Sequence, residues 1–219
     1  MTGAKRWAQV PDWPPPHAPR RWHLQPDGAL SPAPPAASPP DHYDYDPADP
    51  APGLGGPGLD PVNSGRKEQR RRESRPDVLT YTSVPLGREL TVAGPVRAEV
   101  WVRSSRPFFD LFVRLCDVRP SGRSHNVCDG IVRVGPADVE SDGVDGPGRV
   151  AVALWPTAHT FRAGHRIRVQ VSSAAHPLDA RNPGGGEPLG DAATLHPGRH
   201  EVFHDPAHPS GVDLPESPI

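Results

Sequence analysis

Four histidines near the end of the chain recur at every fourth position, as His196, His200, His204 and His208. On an α-helix this spacing would place the four imidazoles on one face, where they could bind a metal ion. Pro197, Gly198 and Pro206 interrupt the stretch, and helix interiors tolerate neither residue type well. The segment is therefore predicted to form a turn, a strand and a second turn, and we expect the chain to hold no metal ion or other cofactor.

Three aspartates, Asp110, Asp117 and Asp129, flank one predicted hairpin. Carboxylate oxygens are ligands for hard cations such as Ca²⁺, so a cation site is one interpretation. Carboxylates at strand ends are also common without any ligand. We favour this second interpretation.

The sequence lacks the pattern that carries an activated serine in one large class of hydrolases. In that class a G-x-S-x-G pentapeptide holds the nucleophile on a sharp turn between a strand and a helix, and no such pentapeptide occurs here. Covalent catalysis begins with an activated nucleophile. We therefore expect the chain to be inactive by itself and to contain no nucleophilic Ser–His pair.

Any site would have to be positioned by strands, because the second part of the chain alternates apolar and polar residues with a period of two. Such runs occur around positions 78–82, 96–102, 111–115, 150–154, 167–171, 202 and 212–214. Gly, Pro and Asp residues separate the runs. Many short strands with such turns predict an all-β sandwich over residues 76–219.

Trp101 stands out in this pattern because it shares a strand face with Arg97, Glu99 and Arg103, opposite the apolar face. A large aromatic side chain on a polar face is typical of a surface that something covers. The alternative is an isolated surface tryptophan.

The turn around Gly122 predicts a hairpin with its own register. Pairing about Gly122 places Val113 opposite Ile131, Phe112 opposite Val132, and Cys116 opposite Cys128. Two facing thiols could form a disulfide if the geometry allows. We favour reduced core cysteines, because two cysteines in a chain of 219 residues do not make a disulfide scaffold.

Residues 1–75 are predicted to form an extended, Pro-rich arm or linker, since 16 of the 32 prolines lie there. Disordered segments are usually poor in aromatics, yet this one contains Trp7, Trp13, Trp22, Tyr43 and Tyr45. We expect parts of the arm to lie against the folded body, with these rings as anchors. The basic stretch 66–75 is interpreted as a solvated linker rather than a nucleic-acid patch.

The composition excludes several classes of partner. A net charge of −2 gives no general electrostatic case for nucleic acid or for an anionic membrane. No apolar run is long enough to span a bilayer, and the first ten residues contain no apolar segment of a secretory signal. We expect a cytoplasmic protein without nucleic-acid or membrane partners.

Seven segments form a series along the chain. They are 3–7 (GAKRW), 12–14 (DWP), 45–50 (YDPADP), 77–83 (DVLTYTS), 128–133 (CDGIVR), 161–173 (FRAGHRIRVQVSS) and 204–210 (HDPAHPS). In order and spacing they resemble the C-terminal, non-catalytic domain of Xaa-Pro dipeptidyl-peptidases and cocaine-esterase-like (CocE/NonD) serine hydrolases. The resemblance covers nearly the whole chain. It departs where that family places an acidic pair, because Phe108 occupies the first position and only Asp110 remains.

The resemblance implies a galactose-binding-like jelly roll that shapes and stabilises an α/β-hydrolase domain or subunit, which cleaves esters or removes dipeptides from Xaa-Pro ends. The family's Ser, Asp and His lie before the position matched by residues 3–7, so none is carried over to this chain. A truncated or split gene would account for that. The strand of Trp101 would lie toward the hydrolase and its substrate cleft, and we predict that Trp101 marks the docking surface.

Two other functions stay open at this point. A jelly roll can act as an autonomous binding module for a carbohydrate or another ligand. The third hypothesis is a self-contained hydrolase, for which the sequence offers no nucleophile.

Overall fold

A computed structural model describes residues 1–141 and 146–219. Its strands are β1 (Ala18–Gln25), β2 (Ala29–Ser31), β3 (Asp41–Tyr45), β4 (Leu79–Ser83), β5 (Leu90–Ser104), β6 (Phe109–Val118), β7 (Ser124–Val134), β8 (Glu140–Ser141), β9 (Gly148–Phe161), β10 (Arg166–Ser172), β11 (Gly198–Phe203) and β12 (Gly211–Glu216). Two single helical turns, a 3₁₀ turn at Pro26–Gly28 and α1 at Arg70–Glu73, complete the elements. Neither helical turn is long enough to cross a bilayer, and the described ranges contain no helix that is both long and apolar enough to do so.

The strands form two layers that are joined at one side. In the first layer β5 lies between β9 on one edge and β11 and β12 on the other, and β11 continues to β3. The second layer runs in the order β4-β10-β6-β7. Strand β1 pairs with β12 and β2, and β2 runs parallel to β4, so the layers are continuous. Because β9 also contacts β6 and β7 without pairing with them, the sheet folds over itself. The predicted all-β sandwich is confirmed.

The core lies between the layers and is built by the period-two pattern. On β5 the buried residues alternate from Val96 to Val102, and on β9 they alternate from Val150 to Leu154. Leu111 and Leu115 of β6 and Val169 of β10 face them from the other layer in one apolar cluster. At about 25 cal/mol per Å² of apolar surface, burying these faces is the main force that holds the layers together.

Three of the strands come from residues 1–75. Strand β1 pairs with β12, and the anchor residues Trp22, Tyr43 and Tyr45 are buried. Trp7 and Trp13, in contrast, are 97% and 50% exposed. Part of the segment interpreted as an arm therefore contributes strands to the sheet. A domain boundary at residue 75 stays a prediction.

The register predicted for the β6–β7 hairpin is wrong by one residue. Phe112 pairs with Ile131, and Cys128 pairs with Leu115 instead of Cys116. The turn is centred one residue earlier than Gly122, and the register shifts again where Cys116 pairs with Asn126. Successive side chains point to opposite faces of a strand. A register shift of one residue therefore means that the two thiols do not face each other. Cys128 lies in the core cluster, while the Cys116 Sγ contacts Gln170 Nε2 at 3.4 Å, and both thiols are free and buried.

Candidate functional site

The four histidines do not come together. His200, on β11, is buried between the rings of Tyr43 and Phe109, with ring centroids at 5.0 and 5.3 Å. His204 hydrogen-bonds to Asp41 and Ser38, and His208 to Asp205, while His196 lies in the loop before β11. Burial lowers the pKa of His200 to about 4. The segment is a loop, strand β11 and a turn at Asp205–His208, so the predicted strand and second turn are present.

Each of the three hairpin aspartates has its own hydrogen-bonding or ion-pair partners within the chain. Asp110 accepts two hydrogen bonds of 2.8 Å from Arg133, and Asp129 pairs with Arg114 at 2.8 Å. Asp117 lies 2.7 Å from His165 Nδ1 and 3.3 Å from His159 Nε2. Within residues 1–141 and 146–219, no three His, Cys, Asp or Glu side chains are arranged to hold a metal ion.

The structure contains a Ser–His–Asp arrangement that the sequence analysis did not anticipate. Ser38 Oγ lies 2.9 Å from His204 Nδ1, and His204 Nε2 lies 3.0 Å from Asp41 Oδ2. Burial opposes ionisation of Asp41. Hydrogen bonds from His204 and from Tyr81 outweigh it, so the pKa of Asp41 lies below its usual value.

The residues that follow Ser38 cannot supply the oxyanion-hole N–H that acyl transfer needs. The residue after a nucleophilic serine usually supplies one N–H of the oxyanion hole. Ser38 is followed by Pro39 and Pro40, which have no N–H. The hydroxyl instead links the loop before β3 to buried His204. The Thr2 hydroxyl makes a similar contact with the His159 ring, and it also lies 3.2 Å from the Ala158 carbonyl oxygen.

Trp101 lies on the outward face of β5, as predicted, and is half-buried there. Its ring contacts the His208 ring edge-on, with centroids 5.1 Å apart, and its backbone N–H donates to Ser210 Oγ at 2.8 Å. Nearby Glu99 pairs with Arg21 and Arg149. The loop before β12 therefore covers part of the indole, and its role in docking stays a prediction.

A second tryptophan, Trp155 on β9, lies on this same outward face. Trp101 pairs with Arg149, and the outward positions then continue along β9 through Ala151 and Ala153 to Trp155. Trp155 is 62% exposed. We call the side chains Trp101, Arg149, Ala151, Ala153 and Trp155 the β5–β9 outer face. The alternation that singled out Trp101 also applies to Trp155, because Val150, Val152 and Leu154 on the same strand point inward. This pattern is the signal by which Trp155 could have been found from the sequence.

A cavity of about 260 Å³ lies beside Trp155, between β7 and the loop that precedes residue 66. Buried Arg114 holds this loop: its guanidinium donates to the carbonyl oxygens of Leu54 and Gly55, and to Gln69 Oε1 at 2.8 Å. Leu59, in the same loop, is fully exposed. Pro57 of this loop lines the cavity beside Trp155, and the hydrogen bonds from Arg114 hold the backbone of the loop in place.

A second buried guanidinium corrects the interpretation of residues 66–75 as a solvated linker. Arg72 is 0% exposed and packs over the Phe112 ring, 4.7 Å from its centroid. It donates to the side chains of Gln170 and Ser172 and to the carbonyl oxygens of Pro52 and Ala174. The run of basic residues predicted a solvent-exposed segment. In the structure one of them, Arg72, is buried, and its hydrogen bonds connect two loops.

Comparison with known families agrees with this architecture. Residues 1–213 match the model of the X-Pro dipeptidyl-peptidase C-terminal non-catalytic domain. The chain belongs to this family. The matched domain is the non-catalytic C-terminal domain of CocE/NonD-like hydrolases.

Individual relatives extend this comparison. The cocaine esterase of Rhodococcus sp. (strain MB1 Bresler) is 35% identical over 98% of this chain and 40% of the relative. An aminopeptidase from a marine sediment archaeon (Thaumarchaeota archaeon) superposes with a TM-score of 0.85 at 29% identity, over 99% of this chain and 39% of that one. An α-amino acid ester hydrolase gives 0.84 at 28% identity, over 98% and 40%. The chain spans about two fifths of the length of these relatives, and in them the non-catalytic domain accompanies a larger catalytic part.

Proposed function

We propose that this domain packs through its β5–β9 outer face against an α/β-hydrolase domain, which it shapes and stabilises. The complete hydrolase would cleave esters or remove dipeptides from Xaa-Pro ends, as the names of the relatives suggest. The single observation that carries the proposal is the exposure of Trp155 on the outward face that also holds Trp101. Whether the hydrolase domain is on the same polypeptide or on another makes no difference to the contact.

The chemistry of this face suits a protein partner. Large aromatic side chains dominate the energetics of interfaces, and one stands at each end of the face. Ala151 and Ala153 between them are small, so a partner can approach the strand closely. Glu99, beside this face, is already paired with Arg21 and Arg149. Paired charges cost less to cover than unpaired ones.

A chimaera tests the proposal. The chain is fused to the hydrolase portion of the Rhodococcus cocaine esterase, in place of the segment it matches, and ester hydrolysis and thermal unfolding are measured. We expect cooperative unfolding and retained hydrolysis. The hydrolase portion without any C-terminal segment should be less stable and less active, and equal behaviour of the two proteins would contradict the proposal.

Within the chimaera, Trp155→Ala should weaken the contact by about 2 kcal/mol, the scale of an interface hot-spot residue. Trp101→Ala should have a smaller effect, because this chain already covers part of that ring. Val84→Ala is the matched control, since Val84 is 75% exposed outside the face. If all three variants unfold alike, the docking surface lies elsewhere.

A further inference from the structure

One end of the sandwich carries a concentration of positive charge in a concave site. A cavity of about 590 Å³ is lined by Lys5, Arg66, Arg119 and Arg162, together with Asp117 and His165. The residues come from the N-terminus, the loop before α1 and the β6–β7 and β9–β10 turns. Its volume lies within the range of small-molecule sites, about 300–1,000 Å³. We call these six side chains the basic cavity.

The negative charge in this cavity is already engaged. The Asp117 carboxylate is buried and contacts His159 and His165, and Arg66 approaches it only to 3.9 Å. Burial opposes its ionisation, but the two histidines outweigh it and keep its pKa below the usual value. Asp117 thus remains an anion, and as one carboxylate it can offset only one of the four cations, the nearest being Arg66 at 3.9 Å.

Three of the cations have no carboxylate partner within the described ranges, namely Lys5, Arg119 and Arg162. Arg66 and Arg119 repel each other: burial lowers the pKa of Arg66, and the neighbouring Arg119 lowers it further. His125 behaves in the same way, because burial and then Arg66 and Arg119 lower its pKa. Like charges in a concavity that outnumber their counter-charges, here four cations against the single carboxylate of Asp117, are stabilised by binding an anion.

From this arrangement we propose that the basic cavity binds a compact, multivalent anion of the diphosphate type. Arginine guanidiniums match phosphate oxygens in geometry and form paired hydrogen bonds with them, and Lys5 adds a point charge. A single monovalent anion would leave most of this charge unbalanced. A concave site of this size favours a small molecule over an acidic protein surface, which would approach protruding side chains. The inference is independent of the hydrolase contact.

Isothermal titration calorimetry of the full chain with inorganic pyrophosphate tests the proposal, in buffered 150 mM NaCl. We expect saturable binding with one site per chain. The double variant Arg119→Ala/Arg162→Ala should weaken the affinity at least tenfold, as the loss of two charge-assisted contacts requires. Arg123→Ala is the matched control, because Arg123 lies in the same β6–β7 turn outside the cavity, and it should change the affinity less than twofold.

Two results would overturn the proposal. One is the absence of saturable pyrophosphate binding to the wild-type chain. The other is an equal loss in Arg123→Ala and the double variant, which would indicate general surface charge. If the double variant fails to fold, Lys5→Ala replaces it, since Lys5 is an exposed residue near the chain end, and it should weaken binding severalfold. If the wild-type chain binds no pyrophosphate but the double variant destabilises the hydrolase chimaera, the basic cavity would be a protein contact instead.

Discussion

The Arg114 guanidinium lies 2.8 Å from the Asp129 carboxylate, and the two side chains are 0% and 5% exposed. Arg114 also donates to Gln69 and to the loop at Leu54 and Gly55. One buried ion pair therefore fixes the loop beside the proposed docking face. A buried charge that loses its partner is costly, on the order of 3–5 kcal/mol.

We accordingly expect Arg114→Met to lower the free energy of unfolding by about 3–5 kcal/mol, because it leaves Asp129 buried without a counter-charge. Urea denaturation followed by circular dichroism measures this. Arg114→Met/Asp129→Leu should be less destabilised than the single variant, since it removes both charges. Arg123→Met, at an exposed turn, is the control and should change little. A double variant that is less stable than Arg114→Met would refute this account.

Acid should destabilise the domain through His200. Its pKa is lowered by burial to about 4 in the folded state, against 6.5 when exposed. Below pH 6.5 the unfolded chain binds the extra proton first, so stability is complete above this pH and is lost as the pH falls toward 4. The slope approaches about 1.4 kcal/mol per pH unit for one such group.

His200→Phe tests this source of acid sensitivity. Neither imidazole nitrogen has a hydrogen-bond partner among the described residues, so a phenyl ring between Tyr43 and Phe109 loses no hydrogen bond. We expect the stability of this variant to depend less on pH between 6.5 and 4 than that of the wild type. His42→Asn, at an exposed position of β3, should retain the wild-type slope. Identical slopes in His200→Phe and wild type would exclude His200 as the cause.

The two thiols should be unreactive in the folded protein. Burial raises the pKa of Cys116 to about 12 and also raises that of Cys128, and thiolate is the reactive form. We expect almost no colour with Ellman's reagent at pH 8 until urea is added, and then two thiols per chain. Fewer than two thiols after unfolding without reductant would indicate a disulfide and contradict the observed separation of the cysteines.

Ser38→Ala tests whether the Ser–His–Asp arrangement is catalytic. We expect no turnover of a chromogenic ester or of an Ala-Pro anilide by the wild-type chain, because Pro39 and Pro40 supply no N–H for an oxyanion. The variant should instead lose about 1 kcal/mol of stability, the usual value of one hydrogen bond. Ser121→Ala, in the exposed β6–β7 turn, is the control. Esterase activity that disappears in Ser38→Ala alone would identify this chain as a hydrolase.

The register of the β6–β7 hairpin shows where prediction from sequence reached its limit. Alternating residues located both strands, because burial of one face imposes a period of two. The same pattern could not locate the register shift at Cys116 or the centre of the turn, since hydrogen bonding and backbone conformation fix these. One residue of error placed Cys128 opposite Cys116, whereas it pairs with Leu115.

The amino-acid pattern by itself determined that strands recur in the second part of the chain, that their apolar faces meet in a sandwich, and that the sequence contains no G-x-S-x-G pentapeptide. These conclusions depend on local periodicity and on residue chemistry. Only the tertiary structure decided which charges are buried, that Ser38 meets His204, and that Trp155 shares a face with Trp101. Such relationships join residues far apart in the chain, and they follow from how the layers fold over one another.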